Sequence, residues 1–390
     1  MADVFVGLRV SDCVAVEIRR PSVYGLRMTT LAEPILRGFS RVLAAAAFFF
    51  AAAAVILAGP QPDKIKALQI YFVDVEGGQA TLFVTPAGDS LLIDTGWPGN
   101  NGRDADRIVA AARDAGIKKI DYVLITHYHD DHVGGATQLA AEIPIGTFID
   151  HGENREATDK VTQERWLAYK ALLDSGKYKH ITAKPGDVLP INGMHAEVIS
   201  SDGAVISKPL PGAGEKNPFC TGPAPTGDQT ENPRSLGTLI TFGKLKILDL
   251  GDLTADKEYE LMCPENRLGH VDIYIASHHG FNQSGSTALV HALAPRLAIV
   301  DNGAKKGGSP SALDIIKSSS GLRDMWQLHF SEEAGTAHNT ALKLIANPSG
   351  VDNGNYLRVE AGPGETMSVS ISGNLPTAKV YSWATGKPSH

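Results

Sequence analysis

The chain has 390 residues, with 36 Lys and Arg against 43 Asp and Glu and a formal net charge of -7. That length can bury a full core, as one large domain or as two smaller ones. A sequence pI near 6.0 excludes a general basic footprint for nucleic acid, although a local basic groove would survive so mild an acidic excess.

The segment 1–60 differs from the rest. Val42 to Gly59 is a charge-free apolar run, preceded by Arg37 and Arg41 and ended by Pro60-Gln61-Pro62-Asp63-Lys64. A basic flank, an apolar stretch and small residues near its end describe a secretory signal, and the run is also long enough for an uncleaved membrane anchor. Both routes predict export, with the protein periplasmic, secreted, or held at the inner membrane by residues 42–59. Met28 suits the start of such a signal better than Met1, which makes residues 1–27 an extension, and no cysteine near Ala58 could carry a lipid. Removing the leader, and Cys13 with it, leaves Cys220 and Cys263 in a compartment that permits a disulfide. Neither has the local context of a nucleophile.

From Ala67 the pattern becomes strand-rich. Leu68 to Val75 alternates as a strand, Glu76-Gly77-Gly78-Gln79 turns it, Ala80 to Val84 returns, and Ser90 to Gly96 forms a third strand after a turn at Pro86–Asp89. Asp104 to Ala115 has helical periodicity, with Gly116 placed to end it. Asp121-Tyr122-Val123-Leu124-Ile125 then reads as a buried strand.

Thr126-His127-Tyr128-His129-Asp130-Asp131-His132-Val133-Gly134-Gly135 follows it, and a turn after such a strand would gather His127, His129, Asp131 and His132 at its C-terminal end. Those imidazoles and that carboxylate suit zinc, or another divalent ion that accepts N and O donors. The strand Ile145 to Gly152 also ends in polar residues, which puts His151 where a further ligand could reach the site. Asp159 to Leu173 is amphipathic and helical, and short strands follow near His180–Ala183 and Ala196–Ser200. The stretch between Asp202 and Arg234 is dense in Gly and Pro and reads as a flap over the site.

Leu236 to Phe242 and Leu245 to Leu250 form a hairpin that leads into Gly251-Asp252. Val271 to Ser277 is the next strand and ends in His278-His279-Gly280. A strand over Leu293–Val300, a helix near Ala312–Ser318 and a strand near Met325–Phe330 close the main domain, expected over 66–345. His329 and His338 are isolated and are read as surface or core histidines. The tail from Tyr356 reads as hairpin strands, with Met367 to Ser372 alternating, and is expected as a β extension over 350–390. No internal repeat is visible.

His127-Tyr128-His129-Asp130-Asp131-His132 resembles the HxHxDH signature of the metallo-β-lactamase superfamily. The resemblance implies a four-layer αββα fold of the α/β class. It also implies two divalent ions, zinc first, with manganese or iron as the others. His127 and His129 would hold one ion and Asp131 and His132 the second. Ile93-Asp94-Thr95-Gly96 is similar to the family's opening meander, so Asp94 is expected to brace the metal loops. Gly251-Asp252 falls where that family keeps a bridging aspartate, with a helix N-cap as the plain alternative for Asp252. Asp249 is expected to support it. The pair His278-His279 falls at the family's last ligand position. His279 is expected as the ligand, and His278 as a group that contacts substrate or donates a proton.

Phe72-Val73-Asp74-Val75-Glu76-Gly77-Gly78-Gln79-Ala80, Asn232 with Ser235-Leu236, and His278-His279-Gly280 resemble one branch in particular. They are similar to the extracellular hydrolase domain of bacterial competence proteins and to secreted phosphorylcholine esterases, over about residues 67–330. Two departures matter. That branch reads DVGQGDA, and here the acidic residue before Ala80 is missing. No multi-spanning channel segment is visible either, so DNA transport is not implied.

The resemblance predicts an exported metal-dependent hydrolase in which two ions lower the pKa of a water to near neutrality, Asp131 and Asp252 anchor them, and His278 or His151 assists the leaving group. Phosphodiesters lead as substrate, with a lactone or β-lactam as the alternative. No specific nucleic-acid partner is evident. The rival readings are an exported binding protein without catalysis, which an intact ligand set speaks against, and di-iron redox chemistry, for which the chain shows no electron-transfer module.

Overall fold

Each face of β1 (Leu68–Phe72) packs into a different core. Leu68, Ile70 and Phe72 enter one apolar cluster and Tyr71 another, the two-residue alternation of a strand buried on both sides. The computed structural model describes residues 67–348, 353–362, 365–373 and 378–382. The expected leader, with its apolar run 42–59, lies outside the described residues. Among the described residues no helix is long and apolar enough to cross a membrane.

β1 pairs antiparallel with β2 (Thr81–Val84), and β2 with β3 (Ser90–Ile93). β4 (Ile120–Leu124), β5 (Ile145–Asp150) and β6 (Lys179–Thr182) continue the sheet in parallel. Parallel neighbours need crossovers, supplied by helices α1 (Arg103–Asp114), α2 (Asp130–Val133), α3 (Ala136–Glu142) and α4 (Lys160–Asp174). Asp159 caps α4 by accepting the Thr162 N–H at 2.8 Å. Ala105, Ile108, Val109 and Ala112 of α1, Leu139 of α3 and Trp166 and Tyr169 of α4 cover the outer face of this sheet.

The second half begins with β7 (His195–Ser201), β8 (Ala204–Val205) and β9 (Glu215–Lys216). The hairpin β10 (Gly237–Phe242) and β11 (Leu245–Asp249) follows, then the short β12 (Glu265–Asn266). β13 (Ile273–Ile275), β14 (Leu297–Val300), β15 (Asp324–His329) and β16 (Ile345–Asn347) run in parallel beyond β11. Helices α5 (Ala255–Met262), α6 (Thr287–Leu293) and α7 (Pro310–Lys317) bury Leu261, Leu289, Leu293, Leu313 and Ile316 against Leu248, Tyr274 and Val300 on the outer face of this second sheet. Between the sheets, Ile70, Phe83 and Leu91 meet Ile240, Ile247, Ile273 and Ile299. The result is the αββα sandwich of the α/β class.

Several local differences from the sequence reading have physical causes. The C-terminal strands β17 (Leu357–Ala361), β18 (Thr366–Ile371) and β19 (Lys379–Ser382) are not an appendage. β17 pairs along all of β1, from Leu68↔Ala361 to Phe72↔Leu357, and removes what would be an open sheet edge. Helices α5 and α6 were not expected, and the strand expected from Leu293 begins only at Leu297. The Gly- and Pro-rich stretch 202–234, expected as a flap over the site, is anchored at two points: Cys220 is disulfide-bonded to Cys263, and β9 pairs with β12.

Candidate metal centre

The functional side chains sit where β4, β11 and β13 run out, since C-terminal strand ends in α/β folds leave loops free to converge. At the end of β3 the chain turns left-handed, with Asp94 at φ 61°. Its carboxylate accepts the Thr126 N–H at 2.7 Å and the Thr126 hydroxyl at 2.6 Å, and lies 2.7 Å from His132 Nδ1. Asp94 therefore fixes the loop after β4 and, by engaging Nδ1, turns His132 Nε2 inward. Gly251 accepts the His278 N–H at 2.9 Å through its carbonyl and packs so tightly that a Cβ there would lie 2.9 Å from Thr126 Cβ. That contact brings Asp252 to the histidine loop from the second sheet.

Four side chains converge. His132 Nε2 and His279 Nε2 lie 3.2 Å apart. Asp131 Oδ2 is 3.3 Å from the first and 3.1 Å from the second. Asp252 Oδ1 is 3.2 Å and 3.4 Å from the same two nitrogens. A tetrahedral ion with bonds of about 2.0–2.1 Å spaces its ligand atoms about 3.3–3.4 Å apart, the spacing seen here. Asp252 Oδ1 is buried and has no hydrogen-bond partner among the described residues. A buried carboxylate oxygen between two inward-facing imidazole nitrogens fits a bound cation. Asp131, His132, Asp252 and His279 could hold one.

A second pair flanks this group. His127 Nε2 and His129 Nδ1 stand 3.1 Å apart, and Asp252 Oδ2 is 3.9 Å from His127 Nε2. The two oxygens of Asp252 thus face the two halves of the centre, which would let it serve an ion in each. Outside the pair, Glu156 Oε2 lies 3.0 Å from His129 Nε2, and the Thr126 and Ser235 hydroxyls lie 3.1 Å and 3.5 Å from His127 Nδ1. His278 Nε2 stands 3.4 Å from Asp252 Oδ2, with Ser284 Oγ 3.4 Å from its Nδ1. Both His278 and His279 take left-handed backbone, at φ 55° and 53°, a conformation that costs a non-glycine residue about 1–3 kcal/mol and collects at functional sites.

The electrostatics suit a divalent ion. Burial opposes ionisation of Asp131 and Asp252. Lys306 and His132 outweigh it at Asp131, and His132, His278 and His279 outweigh it at Asp252, so both carboxyls fall well below the ordinary range and stay anionic. Burial and the neighbouring His132 push His127 far down, leaving it neutral with a free lone pair. Asp249, raised to about 7 by burial, accepts from Gln79 Nε2 at 2.6 Å and from the Gly251 N–H at 3.0 Å, and so holds the turn before Asp252.

His151 is directed elsewhere. Its Nε2 lies 2.9 Å from Glu231 Oε2, and its ring packs on Tyr128 at 4.5 Å between centroids. The expected ligand role rested on its place at the end of β5, but Glu231, arriving from 80 residues away, takes the nitrogen. Glu156, Glu231, Ser235 and Lys306 were not singled out as site residues or supports. Lys306 Nζ contacts Asp131 Oδ2, donates to the Gly77 carbonyl at 2.7 Å and lies 5.0 Å from the centroid of the Trp97 ring. Only Ser235 had left a local signal, in the Asn232…Ser235-Leu236 pattern.

Residues 73–215 match the family described as the metallo-beta-lactamase superfamily. The chain carries a metallo-beta-lactamase superfamily domain. The match covers the first half of the sandwich, so Asp252 and His279 stand on geometry. Over 242 residues the chain is 24% identical to Recombination protein 2 of Haemophilus influenzae, covering 60% of this chain and 24% of that protein. It is 21% identical to Competence protein ComA of Neisseria gonorrhoeae over 230 residues, 58% of this chain and 26% of that one. A Hydroxyacylglutathione hydrolase of Stenotrophomonas maltophilia is 32% identical over 107 residues, 27% of this chain and 37% of the enzyme. The chain therefore spans about a quarter of the recombination and competence proteins it matches. The likeness to the recombination and competence proteins extends over 60% and 58% of the chain.

Proposed function

We propose that this chain is an exported, metal-dependent hydrolase whose leading substrate class is the phosphodiester. The observation that carries the reading is Asp252, a buried carboxylate whose Oδ1 faces His132 and His279 and whose Oδ2 faces His127 and His278. His127, His129 and Asp252 would hold one divalent ion, and Asp131, His132, Asp252 and His279 the other. Such ions, when bound, supply Lewis acidity and bring the pKa of a water toward neutrality.

The chain's own groups do the rest. The anionic Asp131 and Asp252 supply the charge that keeps cations in a site shielded from solvent. Asp94 and Glu156 fix the tautomers of His132 and His129 through the nitrogens that face outward. His278 is neutral at rest, because burial lowers its pKa, and its Nε2 can take a proton from the attacking water and pass it to the leaving oxygen. No covalent nucleophile is required. Export rests on the apolar run 42–59 and its basic flank. The phosphodiester class rests on the likeness to proteins named for recombination and competence. The match to a hydroxyacylglutathione hydrolase supports a second reading, an acyl substrate such as a thioester or lactone.

The test is elemental analysis of the purified chain, with turnover of bis(p-nitrophenyl) phosphate, nitrocefin, a lactone and an acyl-glutathione thioester measured on the same sample. Diester turnover with about two ions per chain supports the proposal, and acyl turnover alone moves it to the second reading. Bound metal without any turnover points to a binding protein on this fold. Replacing His278 with Gln should lower kcat about 100-fold while metal content stays unchanged.

A further inference from the structure

Lys306 sets a positive charge against the very oxygen that the metal cluster converges on. Its Nζ contacts Asp131 Oδ2, which is also 3.1 Å from His279 Nε2 and 3.3 Å from His132 Nε2. An ion held by those nitrogens and the ammonium of Lys306 compete for one carboxylate oxygen. Both are cations, and at such separations their repulsion is large even when partial exposure screens it. The Lys306 side chain is 28% exposed, so screening is incomplete.

The backbone dictates this placement. Gly303 donates its N–H to the Lys306 carbonyl at 2.8 Å, and Gly308 donates to the His279 carbonyl at 2.8 Å. A Cβ at Gly303 would stand 2.7 Å from the Glu76 carbonyl oxygen, one at Gly307 2.3 Å from the His279 carbonyl oxygen, and one at Gly77 2.9 Å from Lys306 Cβ. The loop 303–308 is keyed between the turn after β1 and the His279 turn, where a side chain would block the fit. The same ammonium also donates to the Gly77 carbonyl and lies over the Trp97 indole face, so it has anchors beside the carboxylate that it can keep. The His127–His129 pair is faced instead by the carboxylate of Glu156.

We propose that Lys306 is a resident cation that makes the two halves of the centre fill unequally. The half made by His127, His129 and Asp252 takes its ion first. The half made by Asp131, His132 and His279 fills only as the Lys306 ammonium gives up Asp131 Oδ2 and is held by the Gly77 carbonyl and the Trp97 face alone. Lys306 is thus a positioning residue that sets occupancy, and the inference rests on the metal-dependent reading above.

Zinc titration of the metal-stripped full chain, by calorimetry against a competing chelator, tests it without any substrate. The wild type should show two steps separated by about 100-fold in affinity. Lys306→Met, which keeps the side-chain length and loses the charge, should tighten the weaker step about tenfold or more and leave the tighter step within about threefold. Lys306→Arg should keep the wild-type separation. Lys306→Gln serves as a second neutral variant, and thermal unfolding of the metal-free proteins establishes that each is folded. A weaker step that is unchanged or weakened in folded neutral variants overturns the role of Lys306 alone. Zinc that binds to no variant at all overturns the metal reading together with it.

Discussion

Asp74, Glu76 and His329 make a group of the same residue kinds as the metal centre, with one imidazole fewer, and its carboxylate and imidazole atoms lie within 4.8 Å of one another. The two groups differ in what else reaches their oxygens. Asp74 Oδ1 lies 2.7 Å from His329 Nε2 and accepts the Glu76 N–H at 3.0 Å. Its Oδ2 takes Arg107 Nη1 at 3.2 Å and Asn347 Nδ2 at 3.3 Å. The charge is answered by a guanidinium, and both oxygens have donors. In the centre around Asp252, one buried oxygen has no donor and two imidazole nitrogens face each other. Composition and spacing therefore do not distinguish a brace from a metal site. The distinction lies in whether the protein itself satisfies the buried polar atoms.

If that distinction is right, the same kind of substitution has opposite consequences in the two groups. Replacing Asp252 with Ala should lower hydrolytic turnover about 1,000-fold or more and reduce the bound metal, as read by elemental analysis. The metal-free variant should lose less stability than an Asp74 variant, because what it gives up is the charge balance with His132, His278 and His279 and not a set of hydrogen bonds to Oδ1. An Asp252→Ala protein that keeps its full metal content would break the comparison. Replacing Asp74 with Ala removes a buried acceptor shared by His329, the Glu76 N–H, Arg107 and Asn347 and should cost about 3 kcal/mol in a denaturant titration. Its metal stoichiometry should match the wild type, because Asp74 ties β1 to α1, β15 and β16 and holds no ion. Loss of metal in a folded Asp74→Ala protein would show that the satisfied group is a site after all.

Much of the centre was legible because its parts are local. The strand into His127, the HxHxDH run, Gly251-Asp252 after a hairpin and His278-His279 after a strand each put reactive residues at a strand end, where alternation and turn residues announce them. The sandwich was legible for the same reason. What could not be read depends on segments that meet only after folding. Lys306 reaches Asp131 across 175 positions, and Glu231 reaches His151 across 80, with no periodicity linking either pair. Helix α5 lacked an apolar periodicity because its buried apolar residues, Leu261 and Met262, are adjacent and follow a largely polar run. The final hairpin looked detached because its partner, β1, lies at the other end of the domain.

The smallest expected effect sharpens the comparison inside the centre itself. Glu156 Oε2 lies 3.0 Å from His129 Nε2 and also accepts the Glu231 N–H at 2.9 Å, so it positions the ring by the nitrogen that faces away from His127. Glu156→Gln keeps an oxygen able to accept both bonds but removes the charge that favours a proton on Nε2. Ligand-orienting partners of this kind change metal affinity by about 10–100-fold, and the conservative change should sit at the tenfold end. The loss should fall on the tighter zinc step and leave the weaker one within about threefold, the mirror image of the Lys306→Met pattern. If Glu156→Gln weakened the looser step instead, His129 would belong with Asp131 and His132, and the division of the centre by the two oxygens of Asp252 would have to be redrawn.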